Sequence, residues 1–178
     1  MKKFLGLLCV ALLIVSCSSE QVELSNYDKG IQAAKDGQYE KAIDFFSIEL
    51  KRNLSDKDKA ANLCNIGFCF GRLKDFDKEL EYYNKSLEIV SDFPPTLFAL
   101  GKYYYSKKDL NKALEIYEHL VNVDPEYGDA YSMLASIQNE LGNEDAAIVN
   151  MQKAKELQNI ESKESSEQEE DKQEQNNQ

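Results

Sequence analysis

The chain has 178 residues, enough for one domain with a buried core, and 42% of them are hydrophobic, whereas only 8 are glycine and 3 are proline. This composition predicts a folded, mainly helical protein. The formal net charge of -11 and the isoelectric point near 4.6 argue against a nucleic-acid ligand, because acidic side chains and phosphates repel each other. They also argue against electrostatic adsorption on an anionic membrane, so membrane attachment would need another device.

The first segment of the chain has the form of an export signal. Lys2 and Lys3 precede an apolar run over residues 4–15, which is shorter than the roughly 20 apolar residues that span a bilayer. A basic start followed by such a run is typical of a secretory signal peptide. The tetrapeptide IVSC, which ends this segment at Cys17, resembles a bacterial lipobox.

The resemblance implies that the sulfur of Cys17 receives a diacylglyceryl group and that cleavage removes residues 1–16. Two or three acyl chains anchor a protein stably where one chain is marginal. We therefore expect an exported protein, lipid-anchored to a bacterial membrane, with residues 17–22 as a short linker. Ser18 resembles an outer-membrane sorting signal, which favours the outer membrane over the inner one. The alternative is an ordinary signal peptide with a chance cysteine.

The rest of the chain contains four copies of one pattern. The segments IGFCFGRLKDFDKEL, LGKYYYSKKDLNKAL and LASIQNELGNEDAAI follow one another at a spacing of 34 residues. A further copy upstream, KGIQAAKDGQYEKAI, is offset by 37 residues, and the three extra residues fall in the polar segment NLSDKDK. The apolar residues of each copy have helical spacing, so the repeating unit is predicted to be a helix pair.

The period and its small and aromatic residues are similar to those of the tetratricopeptide repeat. The resemblance implies an all-α fold, a right-handed α-solenoid of four helix pairs, about eight helices, with a concave groove. Residues 160–178 contain almost no apolar residue and predict an acidic disordered tail. The repeat region, 23–159, divides into 23–56, 60–93, 94–127 and 128–159.

Small residues of the repeat are expected where two helices come close together. Gly101 is predicted to face Ala113 at the tightest crossing, because a side chain there would push the helices apart. Pro125 is predicted to end its helix, and Glu79, in the place of an alanine, predicts a looser second pair. The residues assigned to repeat packing are Gly30, Ala42, Gly67, Gly101, Ala113, Pro125, Ala135 and Ala147.

The resemblance also assigns a protein-binding groove to the concave face. We expect this groove to be apolar and aromatic through three repeats and acidic at Asp129 and Glu140, which would take the basic side of a peptide. The alternative for Phe68 and Phe98 is burial against neighbouring helices. The predicted groove residues are Tyr27, Ile31, Phe68, Arg72, Phe98, Lys102, Tyr105, Ser136 and Asn139.

The sequence offers little for catalysis or metal binding. His119 is the one histidine and is predicted to lie exposed on a helix. Cys64 and Cys69, about 8 Å apart on one helix, are predicted to be buried free thiols, and with one histidine they cannot complete a four-ligand zinc site. Phosphate-binding and dinucleotide-binding motifs are absent from the sequence. We expect no cofactor, no metal and no small-molecule substrate.

These patterns predict a membrane-anchored scaffold or adaptor lipoprotein of the bacterial cell envelope that binds a protein or peptide. Resemblance to repeat lipoproteins implies roles such as envelope protein assembly. The carboxylate clamp of chaperone-binding repeats is not expected, because Tyr27, Ile31, Pro95 and Ala99 occupy its places. One alternative is a self-associating structural protein, whose groove or terminal helix packs against another copy. The second alternative is an enzyme.

Overall fold

The computed structural model describes residues 24–176, which form eight helices and no strand. The all-α prediction is therefore confirmed. The predicted signal peptide, Cys17 and the linker 17–22 lie outside the described residues. The helices are α1 (Asn26–Lys35), α2 (Tyr39–Glu49), α3 (Asp56–Arg72), α4 (Phe76–Ile89), α5 (Pro94–Ser106), α6 (Leu110–Val123), α7 (Gly128–Glu140) and α8 (Glu144–Asn176).

Successive helices pack as four pairs, and the pairs stack in chain order. The contacts within pairs are α1–α2, α3–α4, α5–α6 and α7–α8, and the pairs meet through α2–α3, α4–α5 and α6–α7. The buried apolar side chains form three clusters, each shared by two neighbouring pairs. The core therefore runs along the stack, as expected for a solenoid in which each unit contacts its neighbours.

The turn inside each pair is held by one residue with a left-handed backbone. Gly37, Lys74, Lys108 and Gly142 have φ values of 74°, 64°, 62° and 80°, and they occupy equivalent places in the four repeats. A left-handed conformation costs a residue with a side chain roughly 1 kcal/mol. The second and third turns therefore contain local strain that the first and fourth avoid.

The long spacing between the first two repeats is explained by an extra turn of helix. α3 begins at Asp56, four residues before the predicted start of the second repeat at residue 60. Ser55 caps this turn, because its Oγ accepts a hydrogen bond of 3.1 Å from the backbone N–H of Asp58. Most of the polar segment predicted as a linker is therefore part of α3.

A side chain on Gly101 would first meet an aromatic ring that the sequence did not place there. A Cβ on Gly101 would lie 2.7 Å from the ring of Tyr117, and one on Gly67 would lie 2.8 Å from the ring of Tyr83. Helical side chains lean toward the N-terminus of their helix, so the ring of Tyr117 covers the level of Ala113, one turn earlier. Each glycine makes room for an aromatic ring.

The predicted loosening of the second pair is not seen at Gly67. The distance from a Cβ on Gly67 to the Tyr83 ring is nearly the same as that from a Cβ on Gly101 to the Tyr117 ring. Glu79 fits because a Cβ on Gly71 would lie 2.4 Å from Glu79 Oε1, so the missing side chain of Gly71 leaves space for the carboxylate.

The contacts between successive pairs differ in polarity. We call these contacts the first seam (α2–α3), the second seam (α4–α5) and the third seam (α6–α7). At the second seam, Ser86 Oγ donates a 2.8 Å hydrogen bond to the backbone carbonyl of Ala60 and lies 2.7 Å from Thr96 Oγ1. Leu120 and Ala130 make the third seam apolar, and both are fully buried. At the first seam, Glu49 Oε2 and Asn62 Oδ1 are buried without a hydrogen-bond partner among the described residues.

The last helix is longer than the sequence predicts. α8 continues to Asn176, so residues 160–176 have a helical backbone where a disordered tail is predicted. The prediction rested on the lack of apolar residues, which prevents burial but leaves helix propensity high in a Glu-, Lys- and Gln-rich segment. Within residues 24–176, no helix is long and apolar enough to cross a membrane.

Candidate functional site

A cleft of about 370 Å³ opens between the second and third helix pairs. We call it the central cleft. Side chains of α3, α4 and α5 form its walls. Its lining residues are Phe68, Gly71, Arg72, Phe76, Glu79, Tyr83, Phe98, Ala99, Lys102, Tyr103 and Ser106.

The apolar part of the central cleft combines one exposed ring and one packed ring. Phe68 is 46% exposed and touches the Tyr39 ring edge-on, with ring centres 6.5 Å apart. Phe98 is half-buried and lies 5.7 Å from the ring of Tyr117 and 5.3 Å from that of Tyr127. Phe68 therefore presents apolar surface to a ligand, whereas Phe98 mainly joins the third pair to the fourth.

Cationic side chains surround these rings. Arg72 Nε donates a 2.9 Å hydrogen bond to the Tyr39 hydroxyl, which fixes the guanidinium at the edge of the cleft. Lys102 Nζ lies 5.6 Å from the centre of the Phe98 ring. Cations so close to aromatic faces are held by the ring quadrupole. The cleft thus offers an apolar surface beside two positive charges, although the whole chain is acidic.

One carboxylate lies on the inner wall of the central cleft. Glu79 accepts a 3.2 Å hydrogen bond from the Tyr83 hydroxyl. Burial raises the pKa of Glu79 above its ordinary value, and the Tyr83 hydrogen bond opposes this shift. Sequence reasoning did not assign Glu79 to the groove. The signal was present, since Gly71 and Glu79 depart from the repeat pattern together.

The structure places four of the nine predicted groove residues in the central cleft. Phe68, Arg72, Phe98 and Lys102 line the central cleft. Tyr27 and Ile31 instead pack against the buried cluster shared by the first and second pairs. There the Tyr27 ring lies 5.9 Å from the Phe46 ring. Tyr27 is therefore engaged by its own helix pair.

The other three predicted groove residues are Tyr105, Ser136 and Asn139. Ser136 and Asn139 line a separate cavity between α7 and α8. Tyr105 donates a hydrogen bond to Glu140 and so links α5 to α7. None of these three residues lines the central cleft.

The acidic end expected at Asp129 and Glu140 is also different. Lys108 forms a 3.0 Å ion pair with Glu140, and the hydrogen bonds from Tyr105 and Lys108 hold the pKa of Glu140 below its ordinary value. Asp129 lies apart, in a cavity with Asp124. Glu140 is therefore already neutralised, and the charges beside the central cleft are positive.

The thiols and the histidine lie as predicted. Cys64 and Cys69 are buried and free, and burial raises the pKa of both, that of Cys69 to about 11. Such thiols are poor nucleophiles. His119 is exposed and lies 2.8 Å from Asp92. Among the described residues, no cluster of His, Cys, Asp and Glu side chains could hold a metal ion.

Known proteins share this repeat over part of the chain. The bovine (Bos taurus) BBSome complex member BBS4 is 32% identical over 107 residues, which cover 60% of this chain and 20% of that protein. The photosystem I assembly protein Ycf3 of Rippkaea orientalis is 33% identical over 79 residues, 44% of this chain and 46% of that protein. The matched region thus spans less than half of either relative.

Solved structures share the fold over a larger part of the chain. MamA superimposes with a TM-score of 0.65 and 19% identity, covering 78% of this chain and 79% of that one. TTC0263 of Thermus thermophilus, described as a thermophilic TPR protein, gives a TM-score of 0.62 at 20% identity, covering 75% of this chain and 73% of that one. At such low identity the likeness concerns the fold alone.

The family assignment comes from the repeats themselves. The tetratricopeptide repeat profile matches residues 60–92, 94–127 and 128–160, more than half of the chain. The first pair, α1–α2, lies outside that match but stacks on α3 in the same way as the later pairs stack on each other. Repeats of this type form scaffolds for protein–protein interaction, and the chain belongs to the tetratricopeptide repeat family.

Proposed function

We propose that the chain is a lipid-anchored adaptor of a bacterial cell envelope that binds a protein segment in its central cleft. The observation that carries the cleft proposal is the exposed ring of Phe68 in a cleft that Arg72 and Lys102 also line. Exposed aromatic surface with polar groups at its rim is typical of interaction sites, and aromatic residues and arginine supply much of the binding energy at such sites.

The chemistry of the cleft favours a particular kind of segment. An apolar side chain of the partner would cover Phe68, and a neighbouring Asp or Glu would pair with Arg72 or Lys102. Arginine suits this role because its planar guanidinium can donate two parallel hydrogen bonds to one carboxylate. We therefore propose an apolar segment with acidic neighbours, in place of the basic one that the sequence predicts.

The membrane anchor is proposed from the sequence. The residues from Cys17 to the start of α1 at Asn26 reach at most about 30 Å when extended. A lipid on Cys17 would therefore hold the first helix pair close to the membrane surface. Partners of the central cleft would then be membrane proteins or proteins that approach the same membrane, and an envelope assembly role fits this arrangement.

Site-specific photocrosslinking in intact cells tests the cleft. A photoreactive amino acid in place of Ser106, which also lines the cleft, is expected to capture a partner, and Phe68→Ala is expected to abolish that product. The matched control is Ile48→Ala, since Ile48 is also 46% exposed but lies on α2, away from the cleft. Unchanged capture with Phe68→Ala would remove the cleft from the proposal.

Replacing Cys17 by serine tests the anchor separately. The Cys17→Ser chain is expected to lose its acyl mass and to appear in the soluble fraction after cell lysis. Intact-mass measurement and membrane fractionation give the two readouts. A variant that keeps the wild-type mass and stays with the membrane shows that Cys17 is not lipidated, whatever the outcome at the cleft.

A further inference from the structure

The last helix pair presents an open groove of about 600 Å³ between α7 and α8, which we call the terminal groove. Its walls are the faces of the two helices that point away from the third pair. The lining residues are Ala135, Ser136, Asn139, Glu144, Ala147, Ile148, Met151, Gln152 and Lys155.

The equivalent surface of the third helix pair shows what kind of element packs on such a groove. Each lining residue lies 34 positions after a residue of α5 or α6. On the third pair, α7 covers the apolar part of that equivalent surface, whereas Lys102 and Glu118 are exposed. There Leu134 and Ile137 pack against Ala113 and Tyr117. The terminal groove is therefore the helix-binding surface of the repeat, and no helix covers it among residues 24–176.

The exposure of its side chains supports this equivalence. Met151 is 40% exposed, whereas Phe46, Tyr83 and Tyr117, at the same place in the other three repeats, are between 0% and 2% exposed. Ile148 is 55% exposed. The residues equivalent to Ile148, which are Ile43, Leu80 and Leu114, are partly buried, so both apolar positions are more exposed here than in the other pairs.

Two occupants from the chain itself are excluded by their polarity. The face of α1 that would enter such a groove carries Ser25, Lys29 and Gln32, where α7 has Ala130, Leu134 and Ile137. Head-to-tail stacking of two copies would therefore bury polar side chains against Met151. Residues 161–176 continue in the same helix as the groove wall and contain no apolar residue.

The α8 wall of the terminal groove is complementary to itself. Its lining residues are symmetric about a point midway between residues 149 and 150. When two copies of α8 run antiparallel about that point, Ile148 of one faces Met151 of the other, and Ala147 faces Gln152. Glu144 at one end then faces Lys155 at the other. Apolar contacts lie at the centre and opposite charges lie at both ends.

We propose that a second copy of this chain covers the terminal groove, in a two-fold symmetric dimer with antiparallel α8 helices. Such an interface uses the same surface on both copies, so it closes at two and forms no filament. The third and fourth pairs show that an apolar helix face fits this type of surface, and the charge pattern of α8 selects the antiparallel register. The central cleft lies outside the interface, so dimerisation and binding in the cleft are independent.

Charge reversal tests both the contact and its register. In a Glu144→Lys dimer, Lys155 would face lysine twice, and in a Lys155→Glu dimer, Glu144 would face glutamate twice. Each variant alone is expected to dimerise more weakly than wild type, on the order of tenfold for two reversed pairs. In an equimolar mixture, each copy supplies the charge that the other needs, so heterodimers are expected to form at wild-type strength.

The experiment uses the full chain, purified in mild detergent, with sedimentation velocity over a concentration series. Ile148→Glu is expected to give monomer only, and the control Val149→Glu to leave the dimer unchanged, because Val149 is 64% exposed but does not line the groove. A wild-type chain that stays monomeric overturns the proposal. Charge variants that dimerise like wild type, or a mixture that stays as weak as each variant alone, overturn it as well.

Discussion

The side-chain oxygens of Ser86 and Thr96 lie 2.7 Å apart in the seam between the second and third helix pairs. Neither residue is exposed, and Ser86 also reaches the carbonyl of Ala60 on α3. Three helices from two repeats therefore share one short hydrogen-bonded chain. Removing the Thr96 hydroxyl leaves Ser86 with the Ala60 carbonyl as its one hydrogen-bond partner.

Thr96→Val is therefore expected to lower the free energy of unfolding by about 0.5–1.5 kcal/mol, because it keeps the shape of the side chain and removes one buried hydrogen bond. Urea denaturation of the variant and the wild type measures the difference. Thr96→Ser keeps the hydroxyl and is expected to lose less. A Thr96→Val variant that is as stable as the wild type would show that this hydrogen bond does not stabilise the seam.

The contact between Gly101 and Tyr117 predicts a coupled pair of substitutions. Gly101→Ala places a Cβ 2.7 Å from the ring and is expected to destabilise the fold by roughly 1–3 kcal/mol through overpacking. The fourth repeat already combines Ala135 with Met151, a flexible side chain in place of a ring. Tyr117→Met should accordingly absorb most of the added methyl group.

A double-mutant cycle measured by chemical denaturation checks this coupling. The variant with both substitutions is expected to be more stable than the sum of the two single losses predicts. If the losses of unfolding free energy in the two single variants simply add in the double variant, the ring of Tyr117 is not what excludes a side chain at position 101.

The strained turn at Lys74 predicts a stabilising substitution. Its φ of 64° suits glycine, so Lys74→Gly is expected to raise the unfolding free energy by about 0.5–1 kcal/mol. The reverse change, Gly37→Lys, should lower it by a similar amount at the equivalent turn. Thermal unfolding of both variants gives the comparison, and a loss of stability in Lys74→Gly would contradict the strain argument.

The half-buried carboxyl group of Glu79 predicts a pH dependence. Because burial raises its pKa above the ordinary value, the folded state binds the proton more tightly than the unfolded state does. The contribution of Glu79 to stability is thus complete below the ordinary pKa and is lost as the pH rises through the raised value.

The neutral variant Glu79→Gln reports this contribution directly. We expect its stability relative to wild type to be higher at pH 7 than at pH 4, as measured by urea unfolding at both values. A difference that is the same at the two values would mean that Glu79 titrates in the folded chain as it does in the unfolded one.

Sequence periodicity predicted the helix pairs well because the apolar spacing and the turn residues recur in every repeat. It could not identify the partner of Gly101, since which ring fills the space depends on the direction in which Tyr117 leans. It placed Tyr27 in the groove because position alone ignores the neighbouring Phe46 ring. The pairing of Glu140 with Lys108 joins side chains 32 residues apart, a contact that no local pattern contains.

The first helix pair of the stack has a polar outer face and the last pair has an apolar one. This difference favours the addition of new repeats at one end. A duplicated unit inserted after α8 would find a ready surface in Ile148 and Met151. A unit inserted before α1 would have to cover Lys29 and Gln32 and would gain little. Lineages that lengthen this protein by gene duplication are therefore expected to add repeats at its carboxyl end and to keep the first helix pair as a fixed origin.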